Sequence, residues 1–120
     1  MSEPMTDVHI HVQLPAARAL LKFCVDHRYG SRHLEDIRRC IAALEARDIQ
    51  AAVKAFQAVP LGGNGCFNDW YPPAVFEHED REYGASVFEA LISNWSLMMG
   101  LSVPTRSNPA PQRTPASGRR

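Results

Sequence analysis

The chain has 120 residues, an apolar fraction of 45% and a formal charge of zero, which fit one small globular domain with a single core. The charge is unevenly placed, because four arginines and no acid follow Val103, so residues 1–102 carry about −4. A domain of that sign is unsuited to binding nucleic acid, and three cysteines without a Cys-x-x-Cys pair argue against a disulfide framework or structural zinc site.

The N-terminus has neither the basic nor the apolar region of a signal peptide, and no apolar run is long enough for a membrane helix. We therefore expect a cytoplasmic protein with reduced thiols, no membrane partner and no cofactor. The first predicted element is a short extended segment at Val8–Val12, where apolar and imidazole side chains alternate. A first helix follows from Pro15 to about Arg28, and Tyr29-Gly30 is typical of its end.

Two further helices follow with almost no connection between them, which predicts an antiparallel helical hairpin. Ser31 or its neighbour is the expected cap of the second helix, and Asp48 is the expected N-cap of the third, which Pro60 ends. Both helices have apolar side chains at spacings of three and four, which indicates one buried face each. Those residues are Leu34, Ile37, Ile41, Leu44, Ile49, Val53, Phe56 and Val59.

The last helix is expected to be the longest and the most hydrophobic, and to be the central helix against which the hairpin packs. The acids of residues 77–82 place negative charge at its positive N-terminal end, and the apolar pattern continues to Gly100. Gly84 near the start weakens it by about 1 kcal/mol relative to alanine. The predicted inward residues are Tyr83, Val87, Phe88, Leu91, Ile92, Trp95, Met98 and Met99.

The elements together predict an all-α fold, a small bundle of about four helices that spans residues 7–102. A long loop rich in glycine, proline and aromatic residues connects the third helix to the last. Residues 103–120 are mostly proline, serine, threonine, asparagine and arginine, which predicts a disordered tail.

The long loop contains the sequence Gly-Gly-Asn-Gly-Cys-Phe-Asn-Asp from Gly62 to Asp69. Together with the helices before it, from Ile37 onward, this loop resembles an uncharacterised family of small bacterial helical proteins with the pattern Gly-Gly-x-Gly-Ser-Phe-Asn-Asp. The resemblance covers about a third of the chain and implies a helical fold with a shaped loop, but no reaction. Arg47 stands where the family pattern has a glycine at the turn, and Cys66 stands where it has serine.

Enzymatic chemistry is the alternative function, and the residues favour it less. Cys66 lies on a glycine-rich loop where backbone amides stabilise a thiolate. A nucleophile also needs a base within hydrogen-bond reach, and the sequence does not place His27, His33 or His78 there. His78 and Glu79 offer metal or acid-base groups, yet they lack the i, i+4 partner that a helical metal site requires. The alternative is thus a small hydrolase or metal-dependent enzyme using Cys66 or His78 with Glu79. No catalytic residue and no metal site is assigned.

The favoured function is a non-enzymatic protein-interaction module, including the antitoxin or immunity type of neutralising partner. Rigid aromatic side chains beside two prolines are typical of binding hot spots, and the flanking acids favour a basic protein partner. A homodimer is also compatible, through the stripe that contains Trp95, Met98 and Met99. The predicted partner-binding residues are Phe67, Asn68, Asp69, Trp70, Tyr71, Phe76, Glu79 and Asp80.

Overall fold

The computed structural model describes residues 8–62 and 65–104. These residues form four α-helices and no strand: α1 Ile10–Asp26, α2 Leu34–Glu45, α3 Ile49–Gln57 and α4 Arg81–Gly100. The all-α class, the helix count and the long loop before the last helix are confirmed. Most of the predicted disordered tail lies outside the described residues, as do residue 7 and two loop residues, Gly63 and Asn64.

Helix α1 begins five residues earlier than predicted, and the extended segment predicted at Val8–Val12 is wrong. The buried face of α1 includes Ile10 and Gln13 as well as Leu20 further along the helix. The helical spacing therefore starts before Pro15. Gln13 is fully buried, and its side-chain amide donates to the carbonyl of Met98 at 3.0 Å. The alternating apolar and imidazole side chains therefore belong to the start of a helix. Over so few residues, the period of two of a strand and the period of 3.6 of a helix give similar patterns.

Helices α1 and α2, rather than α4, make the most extensive helix–helix contacts. Helix α1 packs against α2 and α4, and α2 packs against α1 and α3. Ala16 and Ala17 are buried on α1, and such small side chains let neighbouring helices approach closely. The hairpin also contacts the last helix, as predicted: Phe56 of α3 meets Trp95 edge-on at 4.9 Å, and Cys40 of α2 lies against Met99.

The end of α1 depends on Arg28, not on the glycine two residues later. Arg28 has a φ of 62°, in the left-handed region, and the N–H of Tyr29 donates to the carbonyl of Cys24 at 2.9 Å. The N–H of Arg28 donates to Val25, which completes a Schellman motif with arginine at the position that glycine favours. This motif ends α1 and makes the chain turn away from the helix direction at Tyr29.

The same motif ends α2 and creates the helical hairpin. Arg47 has a φ of 61°, and the N–H of Asp48 donates to the carbonyl of Ala43 at 2.8 Å. The side chain of Asp48 then accepts the N–H of Ala51, as predicted for the N-cap of α3. One residue thus closes one helix and opens the next, which confirms the predicted α2–α3 hairpin.

Replacing Arg28 with glycine should stabilise the protein. A non-glycine residue in the left-handed region is disfavoured by about 1–2 kcal/mol, and the greater freedom of glycine in the unfolded chain offsets part of the gain. We expect Arg28→Gly to raise the free energy of unfolding by about 0.5–1 kcal/mol, measured by urea denaturation. Arg32→Gly, at an exposed turn residue without a positive φ, is the matched control and should not stabilise. Equal effects of the two substitutions would contradict the role of Arg28.

The core lies between the helices and includes two of the three cysteines. Cys24 and Cys40 are fully buried, and burial raises the pKa of Cys24 to about 12 and that of Cys40 to about 11. Trp95 and Met99 are also fully buried. The stripe considered for dimerisation is therefore core, with only Met98 half-buried at its edge.

Candidate functional site

The first half of the loop between α3 and α4 is folded by its own polar side chains. Asn68 accepts the N–H of Gly62 at 2.9 Å, and Asp69 accepts the N–H of Gly65 at 2.8 Å. Gly65 has a φ of 81°, which glycine adopts without strain. The N–H of Phe67 also donates to the carbonyl of Pro60, so this part of the loop forms a closed turn.

Aromatic rings attach this turn to the bundle. Phe67 is 1% exposed, and its carbonyl accepts the Tyr29 hydroxyl at 2.6 Å. The Tyr29 ring stacks on Trp70 with 4.0 Å between centroids, and Trp70 meets Phe88 of α4 edge-on at 4.9 Å. Burial raises the pKa of Tyr29, so its hydroxyl stays a donor at neutral pH. The loop is therefore fixed against α1 and α4 by packing as well as by hydrogen bonds.

The second half of the loop is held by a buried contact between His27 and Glu79. Their side chains are 3% and 4% exposed, and His27 Nε2 lies 2.8 Å from Glu79 Oε2. The other carboxylate oxygen, Oε1, accepts the N–H groups of Val75 and Phe76, each at 3.0 Å. One carboxylate therefore connects the end of α1 to the loop backbone.

The hydrogen bonds define the protonation of this pair. Backbone N–H donation from Phe76 is the main cause that lowers the pKa of Glu79 to about 2. Burial opposes this shift, and Val75 and His27 lower the pKa further. The carboxylate is then an acceptor only, so His27 Nε2 donates to it. His27 Nδ1 lies 2.8 Å from the carbonyl of Phe23, which also only accepts. Both ring nitrogens of His27 thus lie against oxygen acceptors, and we call this contact the His27–Glu79 ion pair.

Above these anchors lies a cluster of exposed rings. Tyr71 is 53% exposed, Phe76 is 45% exposed, and Val75 and Tyr83 are exposed beside them. The His78 ring connects Phe76 to Tyr83, with centroid distances of 6.2 and 5.5 Å. Together with the exposed carboxylates around them, these residues form what we call the aromatic–acidic surface: Tyr71, Val75, Phe76, Glu77, His78, Asp80, Glu82 and Tyr83.

The eight residues predicted to bind a partner divide into two groups. Tyr71, Phe76 and Asp80 are exposed on the aromatic–acidic surface, and Asp80 also caps α4 through the N–H of Tyr83. The other five form the core, the His27–Glu79 ion pair, or hydrogen bonds within the loop turn: Phe67, Asn68, Asp69, Trp70 and Glu79. Phe67 and Glu79 are buried, so in this conformation they support the surface without contacting a partner.

Sequence reasoning did not identify several residues of the site. Tyr83 was assigned to the inward face of the last helix, but it is 47% exposed. Tyr29 was interpreted only as part of a helix stop, and His27 only as one candidate base. The signal that could have identified Tyr83 is its position in the first turn of α4, where a helix often projects beyond the core. Nothing in the sequence pairs His27 with Glu79.

The residues considered for catalysis lie apart. His78 and Glu79 are adjacent in sequence, yet the His78 ring contacts Phe76 and Tyr83 while the Glu79 carboxylate faces His27. Within residues 8–62 and 65–104, no group of three or more histidine, cysteine, aspartate or glutamate side chains is arranged to hold a metal ion.

Cys66 is the accessible thiol of the chain. It is half-buried in the loop turn, while Cys24 and Cys40 are buried in the core. We expect an aromatic disulfide reagent to modify Cys66 in the folded protein and the other two only after unfolding, because buried thiols of raised pKa are inert. Counting released thiolate before and after denaturant tests this, with Cys66→Ser as the control that should show no fast phase. Fast labelling of all three would contradict the packing of the core.

A second surface feature runs along α4 on the side away from α1. It is an open groove of about 740 Å³ between α4 and the start of the loop, and its lining includes Leu61, Ile92, Leu97 and Leu101. Leu97 is 65% exposed. The groove is shallow and separate from the exposed rings.

Comparison with known proteins does not assign this chain to a family. No protein-family model, curated protein or solved structure matches this chain. The resemblance of the Gly62–Asp69 loop to a bacterial family therefore stays a prediction. Among the described helices, none has both the length and the apolar character needed to cross a membrane.

Proposed function

We propose that the protein is a non-enzymatic interaction module that binds a protein partner through the aromatic–acidic surface. The observation that carries this proposal is the concentration of exposed apolar side chains on a fixed loop. Of the large apolar side chains that the described residues expose, half lie within residues 71–83. Exposed apolar clusters on small proteins commonly mark interaction sites.

The anchors beneath the surface support a binding role. The stacked Tyr29 and Trp70 rings and the His27–Glu79 ion pair hold the loop backbone without using the outer faces of Tyr71 and Phe76. A preorganised loop loses little conformational entropy when it binds, so more of the contact energy appears as affinity. Tyrosine and similar rigid aromatic residues are also common hot spots.

The charge of the surface favours a basic partner. Glu77, Asp80 and Glu82 are exposed on the same stretch of chain as the rings, and Arg81 is the one arginine or lysine within residues 71–83. Carboxylates at the rim of an interface increase the association rate of a basic protein, and the effect weakens with salt. A small protein whose helical domain is acidic and covers a basic partner fits a neutralising role of the antitoxin or immunity type.

Capture from a lysate of the source organism tests the proposal. The natural chain and a Leu97→Ala variant should retain the same partner, and a Tyr71→Ala, Phe76→Ala variant should lose it while keeping its helical circular dichroism. The captured protein, once purified, should bind the natural chain at least about tenfold more tightly than the double variant, since two hot spots are removed. Equal binding by all three chains would refute the assignment of the surface.

A further inference from the structure

The C-terminal segment, residues 105–120, has side chains complementary to the aromatic–acidic surface. It contains no acid, and its four arginines are interspersed with three prolines: Arg106, Pro109, Pro111, Arg113, Pro115, Arg119 and Arg120. Segments with closely spaced prolines favour the extended polyproline II conformation, which binds to surfaces lined with aromatic rings. Arginine adds planar cations that stack on such rings and pair with carboxylates.

The surface already binds a guanidinium group of its own chain. The Arg81 guanidinium lies over the Tyr71 ring, 5.0 Å from the centroid. Phe76 and Tyr83 are exposed nearby, and the carboxylates of Glu77 and Glu82 lie on the same stretch of chain. The surface thus offers further rings and negative charge to a second arginine-containing segment.

The segment is long enough to reach. The described chain ends at Pro104, just beyond α4, whereas the surface lies at the opposite end of that helix. A helix of 20 residues is about 30 Å long at 1.5 Å per residue. The 16 residues that follow Pro104 span up to about 50 Å when extended, so they can return along α4 to the rings.

We infer that residues 105–120 dock on the aromatic–acidic surface of their own chain and occupy it until a partner displaces them. A tethered segment has an effective concentration of about 1 mM, so even weak contacts populate the docked state. The inference rests on the proposed function, because it takes the same surface as the binding site. It adds that the preferred ligand is an extended segment carrying proline and arginine.

Paramagnetic broadening in solution tests the docking in the full chain. A nitroxide is attached to Ser117→Cys in a Cys66→Ser background, since Cys24 and Cys40 are buried. We expect the amide signals of Tyr71, Phe76 and Tyr83 to lose intensity several-fold relative to the reduced label. Raising the salt concentration should restore them, because the contact is partly electrostatic. Leu97→Ala should keep the broadening, and Tyr71→Ala with Phe76→Ala should remove it.

Three results would overturn the inference. Uniform broadening over the helices would mean that the segment has no preferred site. Broadening centred on Leu97 and Leu101 would place the segment in the groove along α4. Broadening of a ¹⁵N-labelled chain by a separate spin-labelled copy, at the same level as within one chain, would assign the contact to a second molecule.

Different results would reject the docking and the proposed function. Loss of partner capture in the Tyr71→Ala, Phe76→Ala variant, without any broadening at the surface, would leave the interaction module and reject the docked segment. Broadening at the surface without any captured partner would support the docked segment and reject the partner. A variant with Arg113, Arg119 and Arg120 replaced by glutamine should bind the partner more tightly, because it no longer competes for the rings.

Discussion

Phe67→Ala should destabilise the protein by about 3–5 kcal/mol, whereas the same substitution at Phe76 should lower the free energy of unfolding by about 1 kcal/mol or less. Phe67 is 1% exposed and packs between the Tyr29 and Phe88 rings. Its removal leaves a cavity that the surrounding rings cannot fill without moving. Phe76 keeps much of its ring in water, so truncation removes little buried area.

The pair of substitutions separates support from recognition within one loop. Urea denaturation followed by circular dichroism gives both stabilities, and partner capture gives both binding effects. Phe76→Ala should weaken binding in a protein that stays folded. If Phe76→Ala were as destabilising as Phe67→Ala, the exposed rings would belong to the core, and the aromatic–acidic surface would not exist as described.

The helices were predictable because each has a local pattern and a local end. In α2 the spacing of Leu34, Ile37 and Leu44 defines the buried face, and these residues are buried. Asp48 caps α3 through an N–H only three residues away. Such signals lie within one or two helical turns, so a single sequence contains them.

The arrangement of the helices was less predictable because it depends on how faces match in space. Helix α4 is the longest, yet α1 and α2 each pack broadly against two helices, and the small Ala16 and Ala17 side chains of α1 are buried there. The length and hydrophobicity of a helix do not show how many neighbours it will have. The left-handed turn at Arg28 was also hidden, because arginine gives no sign of a positive φ.

The residues of the site were predictable only in part, because several of their contacts depend on how the helices and the loop pack together. The loop composition identified Tyr71 and Phe76 as surface residues, but it gave the same weight to Phe67, which is buried. The ring stack joins Tyr29 to Trp70, and the ion pair joins His27 to Glu79 across 52 residues. Contacts of that separation follow from tertiary packing, which local composition does not specify.

Glu79→Ala should produce a large loss of stability at neutral pH, with a fall of several degrees in the melting temperature. The substitution removes the acceptor of two backbone N–H groups and the partner of the buried His27 Nε2. Donors that lose their acceptor inside the fold are destabilising. Glu77→Ala, at an exposed carboxylate of the same loop, is the matched control and should have little effect.

The pH dependence of stability tests the same ion pair. The pKa of Glu79 is lowered from 4.5 to about 2, so between these values the unfolded chain binds more protons than the folded one. The stabilisation by this carboxylate is therefore complete above pH 4.5 and is lost as the pH falls towards 2.

Melting temperatures across that range should fall in the natural chain and in Glu77→Gln. Glu79→Gln should lack part of the fall, because its amide does not titrate and its oxygen can still accept from His27 Nε2. If the melting temperature of Glu79→Gln fell with pH as much as that of the natural chain, the Glu79 carboxylate would be solvated. The loop would then lack the fixed base on which its exposed rings depend.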